Sequence, residues 1–139
     1  MPDRDQPSQR QVQAIQQDHL DLLLLVECLG SLVSGGKGGD GAALHRAVEL
    51  SDALWGLLVD LHYPRERALI ENAISGDDEW VRVFHYRHDL AGRLLDGMRR
   101  EVLRERIEWD RFCAAADTLC DLVRVLVQEE EKQLRGLSA

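Results

Sequence analysis

The sequence is short of cysteine, of basic residues and of long apolar runs, and each shortage excludes something. Cysteine occurs three times, at Cys28, Cys113 and Cys120, an odd number with no Cys-x-x-Cys pair. That argues against a disulfide framework and leaves the thiols as small packing groups. Lys and Arg total 17 against 25 Asp and Glu, a net charge of -8. A chain of that sign repels nucleic acid and anionic membranes, so neither is an expected partner. The apolar stretch from Leu20 to Val26 is broken by Asp21 and is too short to cross a bilayer. The opening residues, Met1-Pro2-Asp3-Arg4-Asp5-Gln6, lack the basic-then-apolar pattern of a signal peptide. A soluble, cytoplasmic protein is the expectation.

Two further absences concern local structure. No stretch alternates apolar and polar residues as a half-buried strand would. The glycine-rich segment Gly35-Gly36-Lys37-Gly38-Gly39-Asp40-Gly41 has no strand before it and no Gly-Lys-Ser/Thr closing it. It reads as a connection and not as a phosphate cradle.

What is present is helical periodicity on a chain of 139 residues, 45% hydrophobic and 30% charged, enough for one domain with a real core. Residues 1–8 are polar and expected to be a flexible N-terminus. From there to residue 137 the chain reads as one all-α domain, an up-down-up-down antiparallel four-helix bundle. Ser8 caps a first helix whose inner face carries Val12, Ile15, His19, Leu22, Leu23, Val26 and Leu29, ending near Ser34. A second runs from about Ala42 to Ala73, with Leu44, Ala47, Leu54, Trp55, Leu58, His62, Glu66 and Leu69 inward. Pro64 lies inside it, removes one N–H, and either bends the helix or restarts it. A third starts near Asp78, with Val81, Phe84, His88, Ala91, Leu95, Met98 and Val102 on one stripe. A fourth follows a break around residues 106–108 and carries Phe112, Ala116, Leu119, Val123, Leu126, Glu130 and Leu134, with Gly136 as its stop.

The informative residues are the polar ones on those apolar faces. His62 and Glu66 are four apart, so their side chains stand one above the other on a helix. An imidazole nitrogen and a carboxylate oxygen then reach one small volume, a donor mixture that iron, zinc and manganese accept. With alternate helices running in opposite directions, His19, His62, Glu66, His88 and Glu130 fall near one level of the bundle. Buried charge without partners is too costly to gather there by accident.

Those positions resemble the hemerythrin-like HHE cation-binding domains over most of the chain. Gln17-Asp18-His19-Leu20-Asp21-Leu22-Leu23 is similar to the first-helix Asp/Glu-His-x-x-Leu motif. His62-Tyr63-Pro64-Arg65-Glu66 is similar to a His-His-Pro-Lys-Glu segment, with Tyr63 at the second His. Arg87-His88-Asp89-Leu90 is similar to the third-helix Glu-His-x-x-Leu. Gln128-Glu129-Glu130-Glu131-Lys132-Gln133-Leu134 is similar to the end of a His-x-x-x-Glu-Glu-x-x-Leu pattern. The resemblance implies non-haem iron held by His19, His62, Glu66, His88 and Glu130, as a di-iron or degenerate mono-iron site. It implies binding or sensing of oxygen, peroxide or nitric oxide. The chain departs from the pattern at Leu126, where a His is expected, and at Arg135-Gly136, where Phe-Pro is usual.

Other residues offer substitutes. Glu131 is the alternate carboxylate if the register is shifted by one, and His85, on the flank of the third helix, is an alternate imidazole. Tyr63 and Tyr86 are phenolate candidates, and Tyr63 has the further role of covering the site or hydrogen-bonding beside it. His45 reads as a surface residue. The competing function is a metal-free bundle that serves as an interaction or regulatory module, its His and Glu residues paired with each other. An enzyme is less expected than a binding or sensing protein. Trp80, Trp109 and Phe112 crowd one monomer and suggest a homodimer.

Overall fold

The computed structural model describes residues 7–35 and 40–138. The expected flexibility of residues 1–6 and the middle of the glycine-rich connection, residues 36–39, lie outside them. Among the described residues there are only helices: α1 (Gln9–Gly35), α2 (Gly41–Leu54), a π-helical segment (Trp55–His62), α3 (Tyr63–Ala73), α4 (Glu79–Val102) and α5 (Trp109–Ser138). The segments α2, π and α3 follow one another without a break, so the chain forms four rods. None of the described helices is long and apolar enough to cross a membrane.

Local chemistry sets the ends. Ser8 and Gln11 form a reciprocal cap at α1: the Gln11 N–H donates to Ser8 Oγ at 3.1 Å and the Ser8 N–H to Gln11 Oε1 at 2.8 Å. Asp40 accepts from the Ala43 N–H at 2.7 Å and Asp78 from the Trp80 N–H at 2.8 Å, capping α2 and α4. Gly136 does not stop α5, which continues to Ser138. Its φ is not left-handed. Without that conformation a glycine only weakens a helix and does not end it.

A new α-helical segment, α3, starts at Tyr63 with Pro64 in its first turn, and the rod loosens into a π turn ahead of it. The Tyr63 N–H bonds to the Leu58 carbonyl, five residues back. Leu54, Leu58, His62 and Glu66 are spaced by four and are all buried. In a regular α-helix each such step drifts about 40°, from 100° per residue. The wider π turn takes up part of that drift and keeps the row inward.

The rods pack α1 on α2 and α5, and α4 on α2 and α5. The core divides into two apolar clusters. The larger contains Leu22, Leu54, Leu58, Ala91, Leu95, Leu126 and Val127 among others. The smaller contains Ile15, Leu69, Ile70, Val81, Phe84 and Leu134. Each rod places buried polar residues between them: His19 between Ile15 and Leu22, His62 and Glu66 between Leu58 and Leu69, His88 between Phe84 and Ala91, Glu130 between Val127 and Leu134; Ser51 and Glu101 are buried beside the larger cluster. Phe112 is fully buried, while Trp80 and Trp109 are half-buried, stacked on Phe84 and Phe112.

Candidate metal centre

The polar layer is a cluster of imidazoles and carboxylates closed to water. His19, His62, Glu66, His88 and Glu130 are each at most 5% exposed. One ligand atom from each of His19, His62, Glu66 and Glu130 lies within 4.8 Å of all the others. Glu130 Oε1 stands 3.2 Å from both His19 Nε2 and His62 Nε2. Its other oxygen, Oε2, is 2.9 Å from His88 Nε2. His88 is therefore joined to the cluster through the far side of Glu130 and does not share its centre.

Glu66 is the most telling member. Its Oε2 is 2.7 Å from His62 Nε2 and 3.5 Å from His19 Nε2. Yet both Glu66 oxygens are fully buried and neither makes an aligned hydrogen bond. An unsatisfied buried carboxylate oxygen is costly. Lone pairs that converge without pairing fit a cation placed among them. The donor set, two imidazoles and two carboxylates, includes the two-His-one-carboxylate combination associated with non-haem iron(II), and also suits zinc or manganese.

The outer nitrogens of two imidazoles are held as ligating histidines usually are. His62 Nδ1 donates to Asp18 Oδ2 at 3.1 Å, and His19 Nδ1 to Glu131 Oε1 at 2.7 Å. Asp18 is itself gripped by Arg65 Nη1, 3.2 Å from Oδ1 and 3.3 Å from Oδ2. These bonds turn both Nε2 atoms to the centre. His88 Nδ1, by contrast, is buried with no partner.

The expected residues thus separate into roles. His19, His62, Glu66 and Glu130 come together. Glu131, the alternate ligand, backs His19. His85 is partly exposed, hydrogen-bonded through Nδ1 to the Tyr63 hydroxyl at 2.7 Å, and outside the cluster. Tyr63 lies beside the cluster: its ring stacks on His88 at 4.6 Å. Tyr86 is exposed, and His45 pairs on the surface with Glu49. Leu126 is fully buried in the larger apolar cluster. The residue sequence reasoning missed is Asp18. Its place beside His19 was visible, but its partner, 44 residues away, was not.

Charge within the layer is tightly constrained. Burial by itself lowers the His19 pKa, but the neighbouring carboxylates of Glu130, Glu66 and Glu131 outweigh it and push it up to about 9. Burial likewise opposes charge on His62, and Asp18, Glu130 and Glu66 push it up to about 11. Burial, then the neighbouring Glu130, raises Glu66. Burial also pushes Glu130 upward, but Glu66 and the three imidazoles hold it well below the usual carboxylate range. At neutral pH the metal-free layer therefore carries protons on both His19 and His62. A divalent cation replacing those two protons leaves the net charge of the layer unchanged.

Two expectations follow from this geometry. In Asp18→Ala the His62 ring loses its anchor, and affinity for iron(II) falls about 10–100-fold, read by competition with a chelator. The second concerns pH. Both imidazoles titrate above their unfolded value of 6.5. Their contribution to stability is full below pH 6.5 and is lost as pH rises through about 9 and then about 11. Urea unfolding of the metal-free protein should show lower stability at pH 10 than at pH 7 (about three pH units apart). Metal affinity rises over the same window, because protons compete for the same nitrogens.

No protein-family model, curated protein or solved structure matches the chain.

Proposed function

We propose that the chain is a hemerythrin-like bundle that binds a single non-haem iron ion at His19, His62, Glu66 and Glu130 and uses it to bind or sense a small ligand. The observation that carries the reading is the convergence of those four ligand atoms in a closed layer where both Glu66 oxygens lack aligned partners. Two pairs of contacts support the up-down-up-down antiparallel arrangement that the reading assumes. His19 meets Glu130 while Val26 meets Cys120, and Tyr63 meets His88 while Val59 approaches Gly92. In each pair the numbers rise on one rod and fall on the other.

When bound, iron supplies a redox-active, Lewis-acidic centre able to take oxygen, peroxide or nitric oxide. The protein's own residues do the rest. Asp18 and Glu131 fix the two imidazoles, Leu22, Leu58 and Phe84 exclude water, and Tyr63 lies over His88. A single ion, and not a pair, is favoured because Leu126 occupies the place of a further imidazole and His88 stands apart, reached only through Glu130 Oε2.

A second reading, a metal-free interaction module, is favoured by that same Leu126 and by the imidazole–carboxylate pairing already present. Anaerobic loading with iron(II), followed by nitric oxide or peroxide, separates the two. A new visible absorption in the wild type that is absent in His62→Ala supports the iron reading. Identical spectra with and without iron support the module.

A further inference from the structure

The members of the polar layer are at most 5% exposed, so a small molecule that reaches them has to pass through protein. Toward α1 and α5 the way is blocked by charge, with Glu131 behind His19 and the Asp18–Arg65 pair behind His62. Toward α4 it is apolar. A cavity of about 380 Å³ opens there between the π segment and α4, walled by Trp55, Leu58, Val59, Tyr63, His88 and Gly92. The carboxylates at its mouth are paired, Asp89 with Arg93 at 2.9 Å and Asp96 with Arg100 at 3.0 Å. Two further cavities, one beside Glu27 and Asp121 and one beside Leu24 and Arg46, border no member of the layer.

His88 joins the cavity to the layer. It lines the cavity, and its Nε2 is 2.9 Å from Glu130 Oε2. Its ring centroid is 5.8 Å from that of His62, so one imidazole stands between the cavity and a ligand of the four-residue centre. That imidazole is also the least firmly held of the three. His19 and His62 are each fixed through the outer nitrogen, whereas His88 Nδ1 has no partner. Buried side chains change rotamer even in close-packed interiors, and a ring held through one nitrogen does so at the smallest cost. Gly92 keeps the cavity wide. It sits inside α4, where alanine is the more stable residue, and a Cβ there would meet nothing closer than Val59 Cγ2 at 4.0 Å. The space exceeds a diatomic molecule several times over, since a water takes about 30 Å³ of liquid. It is therefore a chamber and not a fitted pocket, and its apolar walls admit most readily a molecule that gives up no hydrogen bonds on entering.

We infer that this cavity is the entry chamber through which an uncharged diatomic molecule, nitric oxide or oxygen, reaches the iron past the ring of His88. The inference rests on the proposed iron centre and adds to it the route and the preference for an uncharged diatomic.

Anaerobic stopped-flow mixing of the iron(II)-loaded protein with nitric oxide reads entry, and trapping of released nitric oxide reads exit. Gly92→Leu narrows the chamber and should slow both by the same factor, about tenfold, with equilibrium affinity and iron content unchanged. A barrier on the route cancels in the ratio of the two rates, whereas damage to the centre alters affinity or iron content. Val59→Trp narrows the chamber from the facing wall and serves should Gly92→Leu not fold. On metal-free protein the probe is xenon, located in pressurised crystals, which should occupy the chamber in the wild type and be excluded from it in both variants. Unchanged rates in a folded, iron-loaded variant, or a wild-type chamber without xenon, would overturn the route while the iron centre stands. A wild type that binds no iron overturns both.

Discussion

In Glu130→Gln the metal-free protein loses about 3–5 kcal/mol of unfolding free energy and no longer retains iron. Glu130 is within hydrogen-bond distance of all three buried imidazoles, with Oε1 3.2 Å from His19 and His62 and Oε2 2.9 Å from His88. The amide has nearly the same shape, so packing is preserved and the change is electrostatic. One acceptor oxygen becomes an N–H₂ donor facing an imidazole, and one of the charges that keep His19 and His62 protonated is removed. The loss is large because the partners stay buried and cannot turn to water for compensation. Urea unfolding at pH 7 reads the stability and elemental analysis the iron. Glu129→Gln, on the half-buried neighbour, should change stability by no more than about 0.5 kcal/mol.

Leu126→His is the second large effect, and its size depends on metal. Leu126 is fully buried one turn before Glu130, on the same helix face. Without metal, an imidazole there loses the apolar contacts of the leucine and adds a polar group to the larger cluster. Destabilisation of about 2–5 kcal/mol is expected. With iron(II) in excess, the new nitrogen joins His88 Nε2 and Glu130 Oε2 as donors on the far side of Glu130, and binding offsets part of that loss by mass action. The variant should take up more iron per chain than the wild type and gain more thermal stability on loading. A variant that takes up no more iron than the wild type would mean that His88 and Glu130 Oε2 cannot support a second position even when a donor is restored.

The bundle was legible because its evidence is periodic. A row such as Val81, Phe84, His88, Ala91 and Leu95 declares a helix and its inward face at once, and all five are buried. The common depth of His19, His62, Glu66 and Glu130 was legible for the same reason, since helix length and direction fix the level of each side chain. Three things were not. The π segment depends on how Pro64 is accommodated by the carbonyls before it, and the sequence left bending and restarting open. Asp18 lies beside His19 on the chain but acts on His62, so its role depends on how two rods pack. The separation of His88 from the four-ligand centre is a matter of which Glu130 oxygen faces which ring, a difference of a few ångströms that residue spacing does not resolve. Gly136 misled because a glycine ends a helix only when the backbone takes the left-handed turn.

The central claim is that the buried layer is a metal site. Its most direct measurement is iron bound per chain, by elemental analysis after anaerobic loading with iron(II) and removal of free metal, for the wild type beside Glu66→Gln. Glu66 is the residue whose oxygens lack aligned partners in the metal-free layer, so its substitution should remove the ion while leaving the fold intact. Retention of a single ion by the wild type, and little by Glu66→Gln, is the predicted result. A wild type that emerges from loading without iron, or a Glu66→Gln that retains as much, would contradict the account and leave the layer as a network of paired charges.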